Sequence, residues 1–174
     1  MRFGDFLKAT VLLSAASATL LAALTVLGLS NSFNNTAAYV CIAWWAISTG
    51  IGTVLGARTR TTTAIARLLA AAKHQHSLPD LSPARTIANR LWPLLALTLG
   101  AGAMSVFAPQ IGGIAAGFAI IWALSWRHQE AAVAAVEERD GVRFYVDKTS
   151  PLAAIRLVRT PGFGGDFLAT KSTA

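Results

Sequence analysis

Four stretches of this chain, about residues 9–29, 37–56, 91–107 and 111–126, contain no Asp, Glu, Lys, Arg or His. Their lengths lie near the ~20 apolar residues with which a helix rising 1.5 Å per residue crosses the ~30 Å hydrocarbon layer of a bilayer. A small soluble globule is a poor alternative. With 54% hydrophobic and 13% charged residues, and a mean hydropathy of +0.52, the chain has too little polar surface to cover one. The expected fold is an all-α membrane protein whose four transmembrane helices form two hairpins.

The charges set the orientation. Of fifteen Lys and Arg residues, two precede the first run (Arg2, Lys8) and six lie between the second and third (Arg58, Arg60, Arg67, Lys73, Arg85, Arg90). The other seven follow the fourth run, among them Arg143, Arg156 and Arg159. The connections 30–36 and 108–110 hold none, so the positive-inside rule puts both termini and segment 57–90 in the cytoplasm. Trp92, Trp122 and Trp126 then gather as anchors at the cytoplasmic interface, where amphipathic rings are favoured. The expected organisation is a cytoplasmic arm 1–8, spans 9–29 and 37–56 joined by an outer loop 30–36, a basic segment 57–90, spans 91–107 and 111–126 joined by the turn 108–110, and a cytoplasmic helix and tail 127–174. The location this implies is a prokaryotic-type cytoplasmic membrane, crossed several times. A cleaved signal peptide is the rival reading of residues 9–29, but that run exceeds the usual 7–15 residue apolar core.

Local signals refine the cytoplasmic parts. Phe3, Phe6 and Leu7 suggest an arm lying in the interface with its rings inserted. Ile65, Leu68, Leu69 and Ala72 recur at helical spacing, away from Arg60, Arg67 and Lys73, so 61–73 reads as an amphipathic helix along the membrane surface. Ser82-Pro83 restarts a helix, and Pro93 predicts a kink or tightened turn within it. Gly141 is expected to cap the helix that continues span four. Residues 142–146 alternate like a short strand, which alone is marginal in water. Ser150-Pro151, with Leu152, Ile155 and Val158 beside Arg156 and Arg159, predicts a second basic surface helix. The tail is therefore expected to be ordered only against the membrane or a partner.

Chemistry is sparse. Proton relays, ion coupling and voltage sensing use intramembrane ionisable groups, and the four runs have none. Haem held between helices needs His or Met ligands, of which only Met104 is internal. No phosphate loop, nucleophile elbow or zinc-protease motif occurs, so no enzymatic activity and no cofactor are expected. His74, His76 and His128 are read as loop histidines and Glu137, Glu138 and Asp140 as a solvated helix end, with no metal site assigned. Cys41, the one cysteine, is read as a small packing residue.

Small residues recur at four-residue spacing: Ser14, Ala18 and Ala22; Ser48, Gly52 and Gly56; Ala96 and Gly100; Gly113 and Gly117. Such stripes let helices approach closely where lipid offers no hydrophobic drive, either within one bundle or between copies. The positive charge is accounted for by topology and anionic lipid headgroups, and no nucleic acid is expected. The leading expectation is a non-enzymatic integral membrane subunit or scaffold. Its basic cytoplasmic surface, including Arg143, Phe144, Tyr145, Arg156 and Arg159, would meet anionic lipid and a membrane or cytoplasmic protein partner, or another copy. The alternative is a small transporter or channel component for an uncharged or apolar substrate, with Trp44, Trp45, Thr49 and Thr98 around a cavity.

Overall fold

The computed structural model describes residues 1–30, 35–57, 62–74, 83–147 and 155–161. They are mostly helical: α1 (Phe3–Ser30), α2 (Asn35–Gly56), α3 (Thr63–Ala70), α4 (Pro83–Ser105), α5 (Pro109–Trp126) and α6 (Gln129–Asp140). Three short strands complete the described chain: β1 (Lys73–His74), β2 (Val142–Val146) and β3 (Leu157–Pro161).

Three helical runs are long and apolar enough to cross a membrane: α1, α2, and α5 with its continuation α6. This makes the chain a membrane protein. α4, where a further span was expected, does not reach that mark. It begins with polar residues, including Thr86, Asn89 and Arg90, and its apolar part from Leu91 to Ser105 measures only about 22 Å at 1.5 Å per residue. Pro93 lies inside this helix without ending it.

α5 is the centre of the bundle, packing against α1, α2 and α4, whereas the consecutive helices α1 and α2 scarcely touch. The reason lies in residue size. Gly112, Gly113, Ala116, Gly117, Ala119 and Ala123 are buried on α5, leaving room for neighbours on several sides. Against them stand Ser14, Ala18 and Thr25 of α1 and Cys41, Ser48, Gly52 and Gly56 of α2, all buried. A methyl on Gly113 would collide with Cys41 Sγ at 2.5 Å, and one on Gly112 would lie 2.8 Å from Thr25 Oγ1. Three buried hydroxyls of α1 are satisfied locally, Thr10, Ser14 and Thr25 donating to the carbonyls of Phe6, Thr10 and Leu21 at 2.7–2.8 Å, whereas Ser48 Oγ of α2, also buried, meets no hydrogen-bond partner among the described residues.

At one end the chain builds a cap. β3 is central in a three-stranded sheet, antiparallel to β2, with Phe144 opposite Arg159, and parallel to β1, with Lys73 opposite Val158. The N-terminus adds to the free edge of β2: Arg2 bridges Tyr145, and Val146 N–H donates to the Met1 carbonyl at 3.1 Å. Beneath the sheet one core joins Met1, Phe3, Ile65, Val133, Phe144 and Leu157, residues from five separated stretches of the chain. Gly141, at φ 60°, ends α6 as expected and turns the chain into β2.

Several expectations are corrected here. The fold is not purely α. Residues 157–161 form a strand rather than part of a basic helix, because β-branched Val158 and Thr160 suit a strand and β2 offers unpaired backbone groups for them to meet. The N-terminal arm is the first turn of α1, and Phe3, Phe6 and Leu7 are buried in protein rather than inserted in lipid. The apolar face of α3, Ile65 and Leu69, likewise packs into the cap core, and Lys73 lies in a strand rather than a helix end.

Candidate functional site

The bundle and the cap meet imperfectly, and the gap is a cavity of about 390 Å³. Five elements or segments wall it. α1 contributes Phe6, Leu7 and Thr10, α3 contributes Ile65 and Leu68, and α4 contributes Leu91, Pro93 and Leu94. Trp122 and Trp126 of α5 form another wall, their rings stacked at 5.8 Å and 22°, and Ile155 closes the cap side. Among the described lining residues Arg90 is the one charged group. Burial pulls its guanidinium below the ordinary value, opposed by the nearby Asp147 carboxylate. A cavity of this size falls in the range of small-molecule sites, but its walls carry almost no hydrogen-bonding groups, which suits a chain of methylenes better than a polar solute.

Two consecutive residues hold the roof in place. His128 and Gln129 occupy the break between α5 and α6. His128 Nδ1 lies 2.7 Å from the Gly56 carbonyl, which accepts its proton at the end of α2. Gln129, 1% exposed, accepts the Thr62 N–H at 3.1 Å on the doorstep of α3. Both contacts satisfy backbone groups that a helix end leaves without intrahelical partners. This pair therefore clips the start and the end of the crossing from α2 to α3, which sets α3 over the cavity.

The residues singled out in the sequence have mixed fates. Of the α2 stripe only Ser48 meets the α5 glycines, its Oγ lying 2.7 Å from a methyl on Gly117; Gly52 and Gly56 pack farther along α5, a methyl on Gly52 falling 2.8 Å from Leu124 Cβ. Ala96 and Gly100 do not pack; a methyl on Gly100 would meet nothing within 4 Å. Trp44 and Trp45 lock α2 to α5, their indole N–H groups donating to the Ile114 and Gly113 carbonyls at 3.1 and 2.8 Å. Trp44 also meets Phe118 edge to face at 5.3 Å. Thr49 is exposed and Thr98 donates to its own helix at Leu94, so these four do not surround a common cavity.

On the cap, Arg67, Lys73 and Arg156 are exposed, and Arg143 and Arg159 are half-buried. Phe144 and Tyr145, expected on a docking surface, are 2% and 9% exposed: Phe144 belongs to the cap core, and Tyr145, on the other face of β2, is buried where Arg2 pairs with that strand. Glu137 caps that strand, its Oε1 accepting Phe144 N–H at 2.9 Å. Arg58, Arg60 and His76 lie outside the described residues, as do the side chains of Arg85 and His74. Trp92 and Trp122, at 45% and 50% exposed, stand at the cap end of their helices with Trp126. Sequence reasoning missed Phe6, Leu7, Gln129 and Ile155. No local signal singles out Gln129, which follows Arg127 and His128 and precedes Glu130.

No family model, curated protein or solved structure matches this chain.

Proposed function

We propose that this chain is a non-enzymatic membrane subunit or scaffold with four spans and both ends in the cytoplasm, whose cap presents a basic surface to anionic lipid and to a protein partner. The observation that carries the reading is the division of labour in the cap. Its apolar groups are internal, while Arg2, Lys8, Arg67, Lys73, Arg127 and Arg156 are all exposed. Each such cation near an anionic leaflet contributes about 1 kcal/mol, and together they make a surface that both lipid and an acidic partner can read.

The case for α4 as a fourth span is geometric. Leu91 joins the cap core with Phe3, whereas Pro109, just past the end of α4, sits against Gly28 near the far end of α1. The helix and turn between those two points therefore run from the cap towards the far end of α1. The tight glycine contacts between α2 and α5, and hydroxyls engaged within their own helices, support a packed scaffold over a solute path.

Two measurements test this. Alkaline phosphatase fused after Ser30 or Phe107 should be active, and inactive after Gly56 or Pro161; activity after Gly56 refutes the orientation. Gentle detergent extraction of the full chain should recover a partner that is lost when Arg67, Lys73 and Arg156 are all changed to Glu. A lone chain from both preparations counts against a subunit role.

A further inference from the structure

The cavity under the cap has the features of a lipid site, and these go beyond a general affinity of the basic surface for the membrane. Apart from Arg90 and Thr10 its described lining is apolar or aromatic, and it sits at the end of the bundle marked by Trp122 and Trp126, the level at which amphipathic rings meet lipid headgroups. Two lining residues continue outward onto the lipid-facing surface: Leu97 is 72% and Trp122 50% exposed. The chamber therefore adjoins the hydrocarbon layer between α4 and α5 rather than only the aqueous phase. Charge selects the headgroup. Arg90 lies in the wall where the apolar part of α4 begins, and a guanidinium presents a fork that matches phosphate oxygens. Intramembrane or interfacial arginines are retained where an anion or a polar partner meets them.

We propose that the chamber holds an acyl chain of one anionic phospholipid, drawn laterally from the cap-side leaflet, with its phosphate on Arg90. This rests on the reading above that α4 and α5 lie in the bilayer with the cap on one face. Pro93, which also lines the chamber, helps to shape the entrance. Pro93 has no N–H to give the Asn89 carbonyl and fixes the backbone where the wall turns from polar to apolar.

The test is native mass spectrometry of the full chain, purified in mild detergent and exposed to dioleoyl phosphatidylglycerol or dioleoyl phosphatidylcholine. The expected result is one phosphatidylglycerol retained per chain, at least fivefold over phosphatidylcholine. Arg90→Gln should abolish that preference, and Ala64→Trp, which fills the cavity from an exposed rim position, should abolish retention of either lipid. Arg139→Gln, an exposed cation on α6 that is absent from the lining, should change nothing. Arg90→Lys should keep most of the preference, separating charge from folding, and elution as a single species checks each variant. Equal retention of both lipids, retention in Ala64→Trp, or an Arg139→Gln loss matching that of Arg90→Gln would overturn the proposal. Phosphatase fusions that give the expected topology alongside a failed lipid test would reject this site while leaving the membrane reading intact.

Discussion

Replacing Gly56 with Ala tests the packing that organises the bundle. A methyl there would run into the Leu124 carbonyl, with the carbonyl carbon at 3.0 Å and Ser125 Cα at 3.3 Å. All three are backbone atoms of α5, so no side-chain rotation relieves the clash and the two helices must separate. The same change at Gly50 or Gly100 meets nothing within 4 Å. Within a helix Ala is favoured over Gly by about 0.5–1 kcal/mol. Overpacking a close interface costs about 1–3 kcal/mol. The balance is a net loss of roughly 1–2 kcal/mol for Gly56→Ala and a gain of up to about 1 kcal/mol for Gly50→Ala and Gly100→Ala. At about 2–4 °C per kcal/mol for a chain of this size, the midpoints should separate by roughly 4–10 °C. Heating the detergent-purified variants and measuring the surviving monodisperse peak by size-exclusion chromatography reads this out. A Gly56→Ala midpoint at or above that of Gly100→Ala would refute close backbone approach as the basis of the α2–α5 contact.

Four further outcomes follow from the cap and the bundle interior. Gln129→Met keeps the side-chain length but leaves the Thr62 N–H without its acceptor, and should cost about 1–3 kcal/mol, seen as faster hydrogen exchange at that amide. Phe144→Ala empties a site that is 2% exposed and should destabilise the cap by about 3–5 kcal/mol, opening the β2–β3 region to limited proteolysis. Arg156→Ala on the exposed surface should stay within about 0.5 kcal/mol of the parent in the same assay. Cys41, 3% exposed, should resist a membrane-permeant maleimide in the folded chain and react fully once the protein is denatured.

Apolar runs and helix signals were enough to read the membrane character, the main helices to within a few residues and the Gly141 cap, and residue spacing marked small residues on α2 and α5 without saying that the two helices meet. These are legible because they are local: a helix reports its own period, and a run without charges reports its own solvent. The same kind of reading misjudged the ends. The Ser150-Pro151 start and the spacing of Leu152, Ile155 and Val158 read as a helix, yet residues 157–161 are a strand, because β2 and β1 stand on either side with backbone groups to satisfy and β-branched Val158 and Thr160 suit that conformation. Phe3, Phe6, Phe144 and Tyr145 look like residues offered to lipid or a partner, yet they bury one another across most of the chain's length. Which helix lies at the centre, and that a cavity opens where Phe6, Ile65, Leu94, Trp126 and Ile155 converge, depends on contacts among residues far apart in sequence. One-dimensional patterning determines what each segment can bury; only the folded chain decides what it is buried against, because that depends on which other surfaces are left unfilled.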